Sequence, residues 1–219
     1  MRNYIFDLDG TIIDSSQEIL DCIDMSLKIN NLTVDKNKLI PEIIGPPITK
    51  IVKGLLPELQ DEELIKQIMT SFRNIYDNKK EYTSRLYSGI LDVLKNLKLS
   101  DKRLYIATNK PLKPTFKLLE KLSLTEFFDD IYTIDRFEKT MSKYEMIIKI
   151  IQNNKLRKSE TIMIGDSLND ILAAKQAGIK SIGVLWGYGA EKKELIEMSD
   201  YTVKEPFELQ CQRLNYQTI

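Results

Sequence analysis

The chain has 219 residues, and its 32 lysines and arginines balance 32 aspartates and glutamates, so the formal net charge is zero. This balance argues against bulk nucleic-acid binding, and no stretch is long and apolar enough to predict a membrane span. The composition contains no histidine, which excludes histidine bases, histidine-ligated zinc and histidine phosphotransfer.

At this length the chain could form one large domain or two small ones. The first predicted strand begins directly after Arg2, so we expect no secretory signal and a cytoplasmic protein. Cys22 and Cys211 lie far apart without CxxC spacing, and both are predicted to be reduced, ordinary residues.

Two carboxylates follow the first predicted strand. Tyr4, Ile5 and Phe6 form an apolar run, and Asp7 and Asp9 come directly after it, before a glycine turn. This pattern is typical of a buried parallel strand that reaches the carboxyl edge of its sheet, where open α/β sheets bind ligands. Two acids so close together need a cation or a shared proton. A strand end with an Asx turn would explain a lone Asp-Gly equally well.

Residues 15–83 carry helical patterns and no convincing strand. Apolar residues recur at helical spacing near both ends of this segment, among them Ile19, Ile23, Leu27, Ile68 and Tyr76. Between them, Gly45, Pro46 and Pro47 predict either a rigid loop at a binding site or an ordinary helix–helix turn.

A second strand end carries polar residues. The apolar run that begins at Arg103 ends in Thr108, Asn109 and Lys110, and Pro111 is suited to open the next helix. A hydroxyl and backbone N–H groups at a helix start can bind phosphate. An ordinary helix cap is an equally good interpretation of Thr108 alone.

Lys143 begins an amphipathic helix whose Met146, Ile147 and Ile150 are predicted to face the core. Most lysines face solvent. A lysine in the first helical turn, however, opposes the helix dipole and favours an anionic partner. The residues alone leave both interpretations open.

A third strand end repeats the acidic pattern of the first. Asp166 follows an apolar strand, Ser167 is a plausible N-cap, and Asp170 lies about one helical turn further on, so it can point back toward Asp166. The alternative interpretation, in which all these acids are surface caps, would have to explain both spacings at once. Carboxylates without histidine or thiol favour a hard cation, and Mg²⁺ keeps positions open for substrate phosphate.

The predicted strands alternate with helical patterns, which indicates an α/β fold with a Rossmann-like parallel sheet. The core is predicted to comprise residues 1–14 and 84–219, and residues 15–83 form a helical insertion. The predicted core strands are Asn3–Leu8, Leu104–Thr108, Ile131–Ile134, Thr161–Ile164 and Ile182–Leu185.

These motifs together resemble those of haloacid dehalogenase superfamily phosphatases of the phosphoglycolate phosphatase-like group. DLDGTIIDS is similar to the family's first motif, ATNKP to the second, Lys143 to the third and GDSLND to the fourth. SIGVLWGYGA and SDYTV extend the similarity over nearly the whole chain. The resemblance implies a sheet of strand order 5-4-1-2-3 and an α-helical cap inserted after the first strand.

The resemblance also implies roles for individual residues. Asp7 would attack the substrate phosphorus and become an aspartyl phosphate, and Asp9 would give a proton to the leaving alcohol and later take one from water. Thr108 and Lys143 would hold the phosphoryl oxygens. Many relatives have proline after the third-motif lysine, whereas Tyr144 stands here, so Lys139 is a competing candidate.

By the same resemblance, Mg²⁺ would be held by the Asp7 carboxylate, the Asp9 main-chain carbonyl and Asp166, with direct or indirect support from Asp170. The expected partner is a small phosphorylated metabolite, with no nucleic acid and no membrane, and the oligomeric state is left open. The predicted substrate-binding residues are Gly10, Thr11, Asn109, Lys110, Gly45, Pro46 and Pro47.

Phosphoglycolate is a candidate substrate, and the same group includes nucleotidases and pyrophosphatases. A phosphomutase is disfavoured because such relatives use a cap histidine, which this chain lacks. A phospho-receiver would be much shorter and would carry its phosphorylated aspartate mid-chain. A non-catalytic binding protein is disfavoured because every catalytic position is filled.

Overall fold

The computed structural model describes residues 1–45, 48–189 and 191–210. The chain forms two compact units. The larger unit comprises Met1–Asp14, Arg85–Gly187 and the described chain from Glu191 onward. The smaller unit comprises Ser15–Ser84 together with Tyr188 and Gly189.

The described residues form eight strands and eight α-helices, together with short 3₁₀ turns. The strands are β1 (Asn3–Phe6), β2 (Ile13–Asp14), β3 (Arg85–Leu86), β4 (Arg103–Thr108), β5 (Asp130–Thr133), β6 (Thr161–Gly165), β7 (Lys180–Val184) and β8 (Tyr201–Val203). The helices are α1 (Ser16–Ile29), α2 (Ile48–Leu55), α3 (Glu62–Asp77), α4 (Ile90–Leu99), α5 (Leu112–Lys121), α6 (Lys143–Asn153), α7 (Leu168–Ala177) and α8 (Lys192–Met198).

Six parallel strands make the main sheet, in the order β5-β4-β1-β6-β7-β8. The α/β class and the order of the five predicted strands are confirmed. β8 extends the sheet by one strand, and β2 and β3 form a separate antiparallel pair. Neither feature was predicted as a strand, because runs of two or three residues are too short to give a periodic pattern.

β1 lies in the middle of the sheet. Phe6 pairs with Ile106 of β4 on one side and with Ile164 of β6 on the other. Since parallel strands end at the same edge, the polar residues that follow these three strands are brought together.

The first strand is shorter than predicted, because it ends at Phe6 and not at Leu8. The Leu8 carbonyl accepts hydrogen bonds from the N–H groups of Ile12 and Ile13, at 2.9 and 3.0 Å, so it is used in a turn and not in the sheet ladder. Gly10 takes a positive φ of 81° within this turn, a conformation that favours glycine.

Helix α6 illustrates how the core is built. Ser142 caps the helix in a reciprocal arrangement with Glu145, which satisfies backbone donors at the helix start. Met146, Ile147 and Ile150 are fully buried, as their spacing predicted, and pack in one cluster with residues of the sheet and of α7. Each such side chain contributes about 1.5–3 kcal/mol of burial free energy.

The smaller unit is helical, and α1 packs against α3. The apolar faces of both helices are buried at Ile23, Leu27, Ile68 and Tyr76, as their helical spacing predicted. The basic residues Lys50, Lys53, Arg73 and Lys80 are all exposed. In the described part of the chain, no helix combines the length and apolarity needed to cross a bilayer.

Candidate active site

Three carboxylates meet at the carboxyl edge of the sheet. Asp7 follows β1, Asp166 follows β6, and Asp170 lies in the first turn of α7. Each offers an oxygen within 4.8 Å of the others. Asp166 and Asp170 are 5% and 0% exposed. Three acids at this spacing, largely removed from water, repel one another strongly unless positive charge lies between them.

Glycines make room for Asp166. A Cβ atom at Gly10 or at Gly187 would overlap the Asp166 side chain, so both positions need the absence of a side chain. The Thr11 hydroxyl donates a hydrogen bond of 3.4 Å to Asp166 Oδ1. The turn after β1 and the loop after β7 therefore together shape the space around this carboxylate.

The two oxygens of Asp170 have different surroundings. Oδ2 accepts hydrogen bonds from the Ser167 hydroxyl at 2.6 Å and from the Ser167 N–H at 3.3 Å. Oδ1 is buried and accepts no well-aligned hydrogen bond from the residues that the structure describes, although the Lys143 ammonium lies 2.9 Å away. A buried oxygen with this free capacity, beside two further carboxylates, fits a hard divalent cation.

The Lys143 ammonium is buried among these acids. It donates hydrogen bonds to Asp7 Oδ1 at 2.6 Å and to the Ala107 carbonyl at 2.8 Å. Its side chain is 2% exposed. Lys139, the competing candidate, is exposed. The structure thus places Lys143, and not Lys139, against Asp7.

Burial and charge shift the pKa values of this pair. Burial raises the pKa of Asp7 to about 7; the Lys143 ammonium opposes this rise, and the neighbouring Asp170 adds to it. Burial alone would lower the pKa of Lys143, but the carboxylates of Asp170 and Asp7 outweigh it and raise that pKa above its usual value. Lys143 is therefore held as a cation beside Asp7.

Asp9 has a different partner. Its carboxylate lies outside the group of three and faces Lys110, whose ammonium is 2.9 and 3.2 Å from the two oxygens. The Lys110 N–H in turn donates to the Thr108 hydroxyl at 3.1 Å. Thr108 is buried, and its hydroxyl supports the turn after β4. The sequence motif grouped these residues but gave no signal that Lys110 pairs with Asp9.

The structure gives the positions of some of the remaining predicted binding residues. Asn109 is exposed beside Thr108. Gly45 is exposed in the smaller unit with a φ of 130°. Pro46 and Pro47 lie outside the described residues, as does Cys211, whereas Cys22 is buried.

Two aromatic residues near the site were not predicted. The Trp186 indole N–H donates a 3.0 Å hydrogen bond to the Thr11 carbonyl, which anchors the turn after β1. The Tyr87 ring lies 6.5 Å from the Trp186 ring. Burial raises the pKa of the Tyr87 hydroxyl, and the nearby Asp14 adds to the effect. The WGYG segment contains Trp186 and could have indicated it, whereas Tyr87 carries no motif.

Comparison with known proteins identifies the family. The sequence profile of the haloacid dehalogenase-like hydrolases matches residues 4–184, which is most of the chain. This chain belongs to the haloacid dehalogenase-like hydrolase family. Within that family it is phosphoglycolate phosphatase-like, as the motifs predicted, and it is a phosphoric monoester hydrolase.

Two relatives of this haloacid dehalogenase-like hydrolase have different names. A phosphoglycolate phosphatase of Agrobacterium fabrum is 31% identical over 84% of this chain and 80% of its own length. Pyrophosphatase PpaX of Halalkalibacterium halodurans is 30% identical over 91% of this chain and 90% of its own length. A haloacid dehalogenase-like hydrolase structure from Streptococcus pneumoniae superposes with a TM-score of 0.86 at 28% identity, over 96% and 97% of the two chains.

Proposed function

We propose that the protein is a Mg²⁺-dependent phosphatase that hydrolyses a small phosphomonoester through an aspartyl phosphate on Asp7. The observation that carries this proposal is the buried group of Asp7, Asp166 and Asp170 with the Lys143 ammonium 2.6 Å from Asp7. The Lys143 ammonium and a divalent cation bound by these acids would together offset the charge of a phosphate, and the Asp7 side chain is 13% exposed, so a substrate can reach it. That combination serves phosphoryl transfer, which depends on positioning and charge neutralisation.

The Mg²⁺ would be held by the carboxylates of Asp166, Asp7 and Asp170 and by the main-chain carbonyl of Asp9. When bound, the cation supplies charge stabilisation to the phosphoryl oxygens and to the attacking carboxylate. The donors fit because they are hard oxygens and because the buried Asp170 Oδ1, although close to Lys143, accepts no well-aligned hydrogen bond within the described part of the chain. The buried position of Asp166, enclosed by glycines, supports its assignment as a metal ligand.

In the first chemical step, an Asp7 oxygen would form a bond to phosphorus while the bond from phosphorus to the leaving oxygen breaks. Lys143 would reduce the repulsion between the phosphate and Asp7, and with Thr108 it would hold the phosphoryl oxygens. A proton from Asp9 would go to the leaving oxygen. In the second step, Asp9 would take a proton from water as the water attacks the aspartyl phosphate, and phosphate leaves.

For the substrate, we propose a compact phosphorylated metabolite of the phosphoglycolate type. The phosphoglycolate phosphatase relative supports this class, and the pyrophosphatase relative supports pyrophosphate as the second candidate. We further propose that residues 15–83 act as the substrate-selecting cap and that residues 1–14 and 84–219 form the catalytic core, as the family resemblance implies. A closing cap excludes water and selects the leaving group. We also propose a cytoplasmic location.

The test is a comparison of the wild type with Asp7→Asn, with p-nitrophenyl phosphate as substrate and Mg²⁺ present. The substitution removes the attacking oxygen anion but keeps the side-chain shape, so we expect a loss of at least roughly 10³-fold in kcat with unchanged far-UV circular dichroism. Substantial remaining turnover would refute Asp7 as the nucleophile. A phosphorylated species trapped on the wild type and missing from Asp7→Asn would support it.

The wild type and Asp7→Asn are then assayed with phosphoglycolate, pyrophosphate, nucleotides and sugar phosphates as substrates. We expect the highest kcat/KM for phosphoglycolate. A clear preference for pyrophosphate would replace the substrate proposal without changing the proposed chemistry on Asp7.

A further inference from the structure

Lys110 is a buried cation that the proposed chemistry does not yet use. Its side chain is 3% exposed, whereas Asp9 is 19% exposed. The ammonium contacts both oxygens of the Asp9 carboxylate, at 2.9 and 3.2 Å. A lysine so far removed from water incurs a desolvation cost of several kcal/mol, which a close anionic partner offsets.

The backbone on both sides of this pair is held in place. Asp9 follows β1 and Lys110 follows β4, and these strands are neighbours in the sheet. The Gly10 N–H donates to the Ile13 carbonyl at 2.8 Å, which closes the turn around Asp9. On the other side, the Lys110 N–H is bound by the Thr108 hydroxyl. The two-oxygen contact therefore fixes the direction of the Asp9 carboxylate.

We propose that Lys110 is the positioning residue for Asp9: its contact with both carboxylate oxygens holds the Asp9 side chain in the direction from which it serves the leaving oxygen. This inference rests on the proposed function, in which Asp9 is the proton donor. In the step concerned, the bond from phosphorus to the leaving oxygen breaks and the Asp9 proton moves to that oxygen. Lys110 would act on this step through the direction in which it holds the Asp9 carboxyl group.

A direct phosphate contact by Lys110 leads to a different expectation. A lysine that binds the phosphoryl group assists every phosphomonoester to a similar extent. A lysine that acts through Asp9 matters most where the leaving oxygen needs a proton, and little where it departs readily as an anion. The dependence of the rate on the leaving group therefore separates these roles.

The experiment measures kcat/KM for a series of substituted phenyl phosphates of similar size, from p-nitrophenyl to phenyl phosphate. Lys110→Met keeps the length of the side chain without its charge. We expect its loss in kcat/KM to be about tenfold larger for phenyl phosphate than for p-nitrophenyl phosphate. Lys117→Met, at an exposed position in α5, is the matched control and should leave the series unchanged. Lys110→Arg should restore most of the wild-type dependence.

Added to Asp9→Asn, Lys110→Met should produce no further change in the leaving-group dependence, because the carboxyl group that Lys110 positions is already absent. A uniform loss across the series, or a rise in KM alone, would overturn the proposal. Circular dichroism checks folding, and Lys110→Gln takes the place of Lys110→Met if the latter does not fold, with the same expected and contrary results. Failure of the proposed function would look different, because Asp7→Asn would then remain active.

Discussion

Lys143 is held in the site by ion pairs with two carboxylates. Its ammonium lies 2.6 Å from Asp7 and 2.9 Å from Asp170, in a site that is nearly closed to water. In such surroundings the interaction between charges is several times stronger than at the surface. Lys139 is only four residues away in the chain but is exposed, so it has no comparable effect on Asp7.

The two lysines should therefore respond very differently to substitution. For Lys143→Met we expect a loss of roughly 10²-fold or more in kcat/KM for p-nitrophenyl phosphate, because phosphate must then approach Asp7 without the ammonium. Lys139→Met, the matched control, should retain wild-type activity. Thermal unfolding of both variants shows whether the lost charge also weakens the fold. A larger loss for Lys139→Met would contradict this assignment.

At the scale of elements, helix α1 is bound to the segment that precedes β3 by one buried carboxylate. Glu18 is 1% exposed, and it accepts hydrogen bonds from the N–H groups of Thr83 and Ser84, at 3.2 and 3.3 Å, and from the Ser84 hydroxyl. The Lys79 ammonium lies 3.0 Å away. The carboxylate thus joins the two ends of the 15–84 segment within the smaller unit.

This arrangement has a consequence for stability at acid pH. Burial favours the neutral form of Glu18, but the hydrogen bonds from Ser84 and Lys79 outweigh it and hold the pKa of Glu18 below its usual value. A carboxyl with a lowered pKa in the folded state stabilises the fold above its unfolded pKa, about 4.3, and loses that contribution as the pH falls through the folded pKa.

We expect Glu18→Gln to lower the free energy of unfolding at pH 7 by about 1–3 kcal/mol. The difference from the wild type should shrink progressively as the pH falls below about 4, because the wild-type carboxyl becomes protonated as the pH passes through its lowered folded pKa. Thermal unfolding from pH 7 to pH 3 measures this difference, with Glu58→Gln at an exposed site as the control. A difference that stays constant with pH would rule out an ionic role for Glu18.

At the scale of the whole molecule, the fold gathers acidic groups that lie far apart in the chain. Asp7 and Asp166 are brought together because β1 and β6 are neighbours in the sheet. The repulsion among the three acids opposes folding, and a bound divalent cation would reverse the sign of this contribution. Because an unfolded chain lacks such a site, metal binding stabilises the folded state.

We therefore expect saturating MgCl₂ to raise the Tm of the wild type by about 5 °C or more, and KCl of equal ionic strength to raise it much less. Asp166→Asn should be no less stable than the wild type without Mg²⁺, because one like charge is removed. It should lose most of the response to Mg²⁺. An equal response of both proteins would place the cation elsewhere.

Much of the fold and part of the site could be predicted from sequence. The apolar runs before Asp7, Thr108 and Asp166 mark strand ends, and the spacing from Asp166 to Asp170 places the second acid one helical turn on. The strand order came from the family resemblance, since periodicity does not say which strands are neighbours. The short strands β2, β3 and β8 could not be predicted, because their pairing is set by tertiary contacts and not by a local pattern.

What the sequence determined by itself is the type of chemistry: acids after two strands, a polar turn after a third, and no histidine to serve in their place. Tertiary structure decided which charges face each other. It placed Lys143 against Asp7, left Lys139 exposed, and paired Lys110 with Asp9 across 101 residues of chain. The physical reason is the separation of these residues along the chain. A local pattern encodes strands, turns and caps, whereas an ion pair between distant segments depends on how the strands are ordered and packed.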